Sequence, residues 1–94
     1  MISVRIEMAL TPAEFERQLQ PVLDGWLVEV LADGWQLRQD TCTIFICCKP
    51  LPVRCLGLLE FPSLEVEFRF SGCDEARQMQ FLQRFERYFR RGGG

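Results

Sequence analysis

Between Leu64 and Phe70 the chain alternates without a break. Leu64, Val66, Phe68 and Phe70 are apolar, and Glu65, Glu67 and Arg69 between them are charged. A period of two over seven residues is the pattern of a β-strand with one dry face and one wet face. Ser71-Gly72-Cys73-Asp74 then reads as a helix start. After it, Ala76, Met79, Leu82, Phe85 and Phe89 recur at helical spacing, with Phe81 and Tyr88 beside them. A strand dry on one side needs a cover, and a helix this rich in rings needs a floor, so the two are expected to pack together.

The remaining chain supplies the rest of a sheet. Ile2, Val4, Ile6 and Met8 alternate with Ser3, Arg5 and Glu7, which predicts a half-buried first strand. Thr11-Pro12-Ala13-Glu14 has the form of a capping box with proline at the first helical position, and Pro21 is expected to stop or kink the short helix that follows. Trp26–Leu31, Trp35–Gln39 and Cys42–Cys48 read as three strands joined by turns at Ala32-Asp33-Gly34 and Asp40-Thr41. Residues 23–32 also fit a helical period. Gly25, the β-branched residues and the Asp-Gly pair favour the strand. Lys49-Pro50-Leu51-Pro52 reads as a loop, because alternate prolines cannot continue a central strand. Val53–Phe61 resumes extended structure, apolar on both faces, with Gly57 marking a bulge or a close backbone approach.

The expected order is β-α-β-β-β-β-β-α. Connections between strands are too short for parallel crossovers, so the prediction is an α+β fold. A mostly antiparallel, curved sheet packs on a long C-terminal helix and a short N-terminal one. Ninety-four residues make a single domain, taken here as 1–91, with Gly92–Gly94 as a flexible glycine tail.

Composition changes this picture little. Charged residues make up 26% and apolar residues 48%, which is ordinary for a globular chain and argues against disorder. No apolar run is long enough for a transmembrane helix, and the N-terminus lacks the basic-then-apolar layout of a signal peptide, so a cytoplasmic location and no membrane partner are expected. In such a setting the five cysteines are expected to stay reduced. Cys42, Cys47, Cys48 and Cys55 have the wrong spacing for zinc and read as small buried hydrophobes; no metal or other cofactor is implied. Cys73 differs, because the start of a helix lowers a thiol pKa, and it is the candidate reactive thiol.

Charge is unevenly spread. Residues 1–72 carry six Lys/Arg against ten Asp/Glu, whereas residues 73–94 carry five Arg against three acids. Arg77, Arg84 and Arg91 are seven apart and fall on one helix stripe, with Arg87, Gln80 and Gln83 nearby. Such a stripe is a solvated face or a docking surface for an acidic protein partner. The net charge of −2 argues against nucleic acid.

No histidine is present, and no nucleophile elbow or phosphate loop, so nothing assigns catalytic residues. Glu65 and Glu67 read as a solvated sheet face. Ile44, Ile46, Leu56 and Leu58 are expected to form an apolar patch on the sheet face away from the helices, which points to a homodimer or a protein partner. The leading expectation is a small non-enzymatic protein-binding or adaptor domain that self-associates. Two alternatives stand beside it. One is a carrier of a small apolar ligand, held between sheet and helix by Phe45, Phe68, Phe70, Phe81 and Phe85. The other is a thiol redox protein acting through Cys73.

Overall fold

The computed structural model describes the backbone of residues 2–93 and the side chains of residues 3–89. The elements are β1 (Ile2–Met8), α1 (Pro12–Leu19), a 3₁₀ turn (Gln20–Leu23), β2 (Leu27–Leu31), β3 (Gly34–Gln39), β4 (Cys42–Leu56), β5 (Leu59–Ser71) and α2 (Glu75–Gly93). The strands form one antiparallel sheet in the order β1-β5-β4-β3-β2. This is the α+β architecture that the alternation predicts. Gly94 lies outside the described residues, while the α2 backbone extends to Gly93, so Gly92 and Gly93 belong to the helix rather than to the expected tail.

Register explains which face is dry. Val4, Phe68, Ile46 and Trp35 stand in one row across β1, β5, β4 and β3; Leu37, Ile44 and Phe70 form the next. Directly opposed residues share a face, so each row continues the same surface from strand to strand. The helices lie on this face. Phe15 and Leu19 of α1 and Phe81, Phe85 and Phe89 of α2 are buried against it. Phe68 meets Phe81 and Phe85 edge-on at 5.8 and 4.8 Å, and Phe15 bridges Trp35 and Phe89 at 5.7 and 5.1 Å. Such ring pairs add roughly 0.5–1.5 kcal/mol each beyond the area they bury. The dry stripe of α2 is thus 81-85-89. Met79, expected in that stripe, is 55% exposed, and Ala76 is exposed too. The helix is rotated to seat its three phenylalanines, which bury more apolar area than a methionine and an alanine.

Local signals hold at both helix starts. The Thr11 hydroxyl accepts from the Glu14 amide at 3.2 Å, and the Glu14 carboxylate accepts from the Thr11 amide at 3.1 Å, a complete capping box. Asp74 accepts from the Arg77 amide at 2.8 Å and caps α2.

The proline segment departs from expectation. Residues 49–52 are not a loop but part of β4, with a register shift between Leu51 and Arg54. Segment 53–61, expected as one strand, is divided by a turn at Gly57-Leu58, so Val53–Leu56 completes β4 and Leu59–Phe61 begins β5. The prolines fit because β3 has no residue beyond Gly34, which faces Cys47. The Cys48 amide points to that side and donates to the Asp33 carbonyl at 2.9 Å. By the same alternation Pro50 turns its missing amide outward, where no strand waits to be bonded, and Pro52 falls in the register shift, where the ladder is already interrupted. On the other flank β1 ends at Met8, opposite Leu64. The β4–β5 hairpin therefore projects as a two-stranded arm, and the molecule measures 48 × 26 × 21 Å.

Candidate docking surfaces

Three sets of side chains carry the functional expectations: the arginines of α2, the apolar residues of the sheet, and the cysteines.

Two arginines of the stripe are structural anchors. Arg77 donates to the Gln39 carbonyl at 3.1 Å and pairs with Asp40 at 2.8 Å, tying the first turn of α2 to the β3–β4 turn. Arg84 donates to the Pro21 carbonyl at 2.8 Å and lies 5.6 Å from the Tyr88 ring centroid. Its Nε is buried with no hydrogen-bond partner among the described residues. Arg87 is exposed and forms no ion pair among the described residues. The Arg91 side chain lies outside the described residues. Arg77, Arg84 and Arg87 line an open groove of about 460 Å³ between α2 and the Asp24–Trp26 segment. Asp24 is its only acid, and Gln39, Gln80 and Gln83 supply amides.

The expected sheet patch is corrected. Ile44 and Ile46 are 0% exposed because they face the helices, not the open side. Burial falls on even-numbered residues of β4, whose register places them beside Phe70 and Phe68. The open face is instead polar: Arg5 and Arg69 flank Glu67 at 3.2 and 3.1 Å. Phe45 sits on this face, half-buried, so it does not join the other four phenylalanines named for a ligand pocket. Those four are buried and fill the space between sheet and helix with their own rings.

Leu56 and Leu58 are exposed as expected, but on the arm rather than on the sheet face. Leu58 at the turn is fully exposed, and Val53, Leu59 and Phe61 join it. Pairing of Arg54 with Phe61 and of Leu56 with Leu59 gathers Phe61, Leu56 and Leu59 on one side of the arm. The only charge among them, Arg54, is paired with Glu7. At the root of the arm a hollow of about 600 Å³ is lined by Met8, Ala9, Leu56, Phe61 and Pro62 among others. Leu59, Phe61 and Val53 were not singled out from sequence. The signal was there: Leu56-Gly57-Leu58-Leu59 brackets a glycine with φ of 62°, which suits a hairpin tip.

Cys73 is not the free thiol expected at the helix start. It is joined to Cys42 in a disulfide. Cys47, Cys48 and Cys55 are free. Burial, then the Asp33 charge, raises the Cys47 thiol; burial, then Cys47 and Asp33, pushes the Cys48 thiol up to about 12. Both are poor nucleophiles near neutral pH. Among the described residues no group of three or more Cys, Asp or Glu is placed to hold a metal ion, and no helix is long and apolar enough to cross a membrane.

The comparisons with known proteins identify no relative. No family model matches the chain, and no curated protein or solved structure matches it either.

Proposed function

We propose that the chain is a small non-enzymatic protein-binding module of adaptor type that pairs with a second copy of itself through the β4–β5 arm. The observation that carries this reading is the exposure of Val53, Leu56, Leu58, Leu59 and Phe61 on a two-stranded projection beyond the ends of β1 and β3. Contiguous apolar surface beyond a few hundred Å² usually marks association. A second copy is favoured as the occupant because one arm carries both halves of a fit. Leu58 projects at the tip, and the hollow under Leu56 and Phe61 lies at the root. Two arms laid antiparallel about a two-fold axis set each tip beside the other hollow, which is the self-complementarity of an isologous contact. On the side of the arm that carries Leu56, Leu59 and Phe61, the one charge, Arg54, is paired with Glu7.

In a cytoplasmic setting the Cys42–Cys73 pair would be reduced, since disulfides persist in oxidising compartments. The arm lies apart from that bond, so association does not depend on the compartment.

Sedimentation equilibrium tests the proposal. The unaltered chain should be dimeric at high micromolar concentration, and Leu58→Asp should make it monomeric with an unchanged circular dichroism spectrum. Val30→Lys, on the exposed β2 edge, should leave the dimer intact. A strict monomer, or a dimer abolished by Val30→Lys instead, would refute association through the arm.

A further inference from the structure

We propose that the groove between α2 and the Asp24–Trp26 segment is a binding site for an extended acidic peptide. This proposal does not rest on the arm, which is a separate surface. Three observations carry it. The groove wall is basic: Arg77, Arg84 and Arg87 line it with one acid, Asp24, while Arg77 is in addition paired with Asp40 beside the groove. The Arg84 side chain lines this wall, and its Nε–H is buried without an acceptor among the described residues, although a buried donor normally has one. Arg87 has no ionic partner among the described residues, so its charge remains available to a ligand.

Spacing selects the class of ligand. Arg77 and Arg87 are ten positions apart on one helix. At a rise of about 1.5 Å per residue their backbones are ~15 Å apart. An extended peptide covers that distance in about 4–5 residues at roughly 3.3 Å each. A single phosphate or carboxylate ion cannot reach both ends, whereas a chain of carboxylates can. Gln80 and Gln83, between the arginines, offer amide donors and acceptors suited to a peptide backbone. A nucleic acid strand is also a linear anion, but it needs exposed rings to stack on. Of the rings lining the groove, Trp26 is half-buried and meets Phe81 edge-on at 5.9 Å, and Phe81 is buried; the exposed Tyr88 ring does not line it.

The test is fluorescence anisotropy with a fluorescein-labelled, N-acetylated hexaglutamate peptide at low ionic strength. Saturable binding is expected, weakened about tenfold or more by Arg87→Glu. Arg38→Glu makes the same charge change on the open sheet face and should weaken binding less than about twofold, by screening alone. Both sites are exposed, so both variants should fold, and circular dichroism checks that they do. Absence of saturable binding would overturn the proposal. So would equal weakening by the two variants, displacement of the peptide by inorganic phosphate at matched charge concentration, or tighter binding of a labelled hexauridylate.

Discussion

Cys42, the first residue of β4, is covalently joined to Cys73 just ahead of α2, with their Cα atoms 4.4 Å apart. The bond spans a sequence separation of 31 and fastens the helix start to the sheet at the end opposite the arm. Arg77 fastens the same turn a second time through Asp40 and the Gln39 carbonyl. The helix that carries the basic groove is thus held at its beginning by a covalent bond and an ion pair.

Loss of that bond should be costly. Closing a loop of this length stabilises by about 3–4 kcal/mol in the chain-entropy model. Cys42→Ala/Cys73→Ala should lower the urea midpoint accordingly, and a reducing agent should lower the unaltered chain to match. Alkylation of the denatured protein counted by mass should give three labels without reductant and five with it, from three free cysteines among five.

The ring cluster dominates the core. Phe68 is fully buried and touches both Phe81 and Phe85. Phe68→Ala should cost about 3–5 kcal/mol by chemical denaturation. Met79→Ala, on the exposed flank of α2, should change stability by no more than about 0.5 kcal/mol.

Gly34 is intolerant for a reason unrelated to turn conformation. It begins β3 with an ordinary φ, but a Cβ there would overlap the Ile46 carbonyl of the neighbouring strand. Gly34→Ala should force β3 away from β4 and lower the thermal midpoint well below that of Gly25→Ala, where the new methyl meets open space and the strain is only that of a positive φ. Thermal unfolding of the two variants makes the comparison.

Two carboxylates with lowered pKa tie stability to pH on the acid side. Glu14 is held below the ordinary carboxylate range by the Thr11 amide first and then the Thr11 hydroxyl. For Glu67, partial desolvation raises the pKa, but the Arg5 hydrogen bond and the charges of Arg69 and Arg5 outweigh it and bring the group below its ordinary value. A depressed folded-state pKa means the contribution is complete above the unfolded value and lost as pH falls through the folded one. Urea midpoints measured from neutral to acid pH should therefore decline below the ordinary carboxylate range, around pH 4. The decline should be shallower for Glu67→Gln, and the gap between the two proteins should close as the pH drops. Separately, Thr11→Ala should cost about 1 kcal/mol at neutral pH.

Much of the architecture is legible in local pattern. Alternation over Leu64–Phe70 and Ile2–Met8 predicts two half-buried strands, and both form; their pairing with each other is shown by the structure. Thr11-Pro12-Ala13-Glu14 predicts a capped helix, and every hydrogen bond of the cap forms. The Asp-Gly pair predicts a hairpin at the right place, although Gly34 serves close strand approach rather than the turn itself.

Where local pattern misleads, the reason lies in distant neighbours. Ile44 and Phe45 are both strongly apolar, and only the register with Phe70 and Arg69 decides that the first is buried and the second half-open. Pro50 and Pro52 read as strand breakers because sequence does not reveal that β3 has already ended beside them. Cys42 and Cys73 are remote in the chain, and no spacing rule pairs them. The sequence by itself determined the alternating strands, the helices, the caps and the class of fold, since each depends on residues a few positions apart, though not that residues 42–71 form two long strands rather than three. Tertiary structure alone decided which apolar residues are core and which stand on the arm, which arginines anchor and which remain available, and which thiols meet. Those outcomes depend on which strand lies alongside, and that is settled by pairing across the sheet rather than by the order of residues along it.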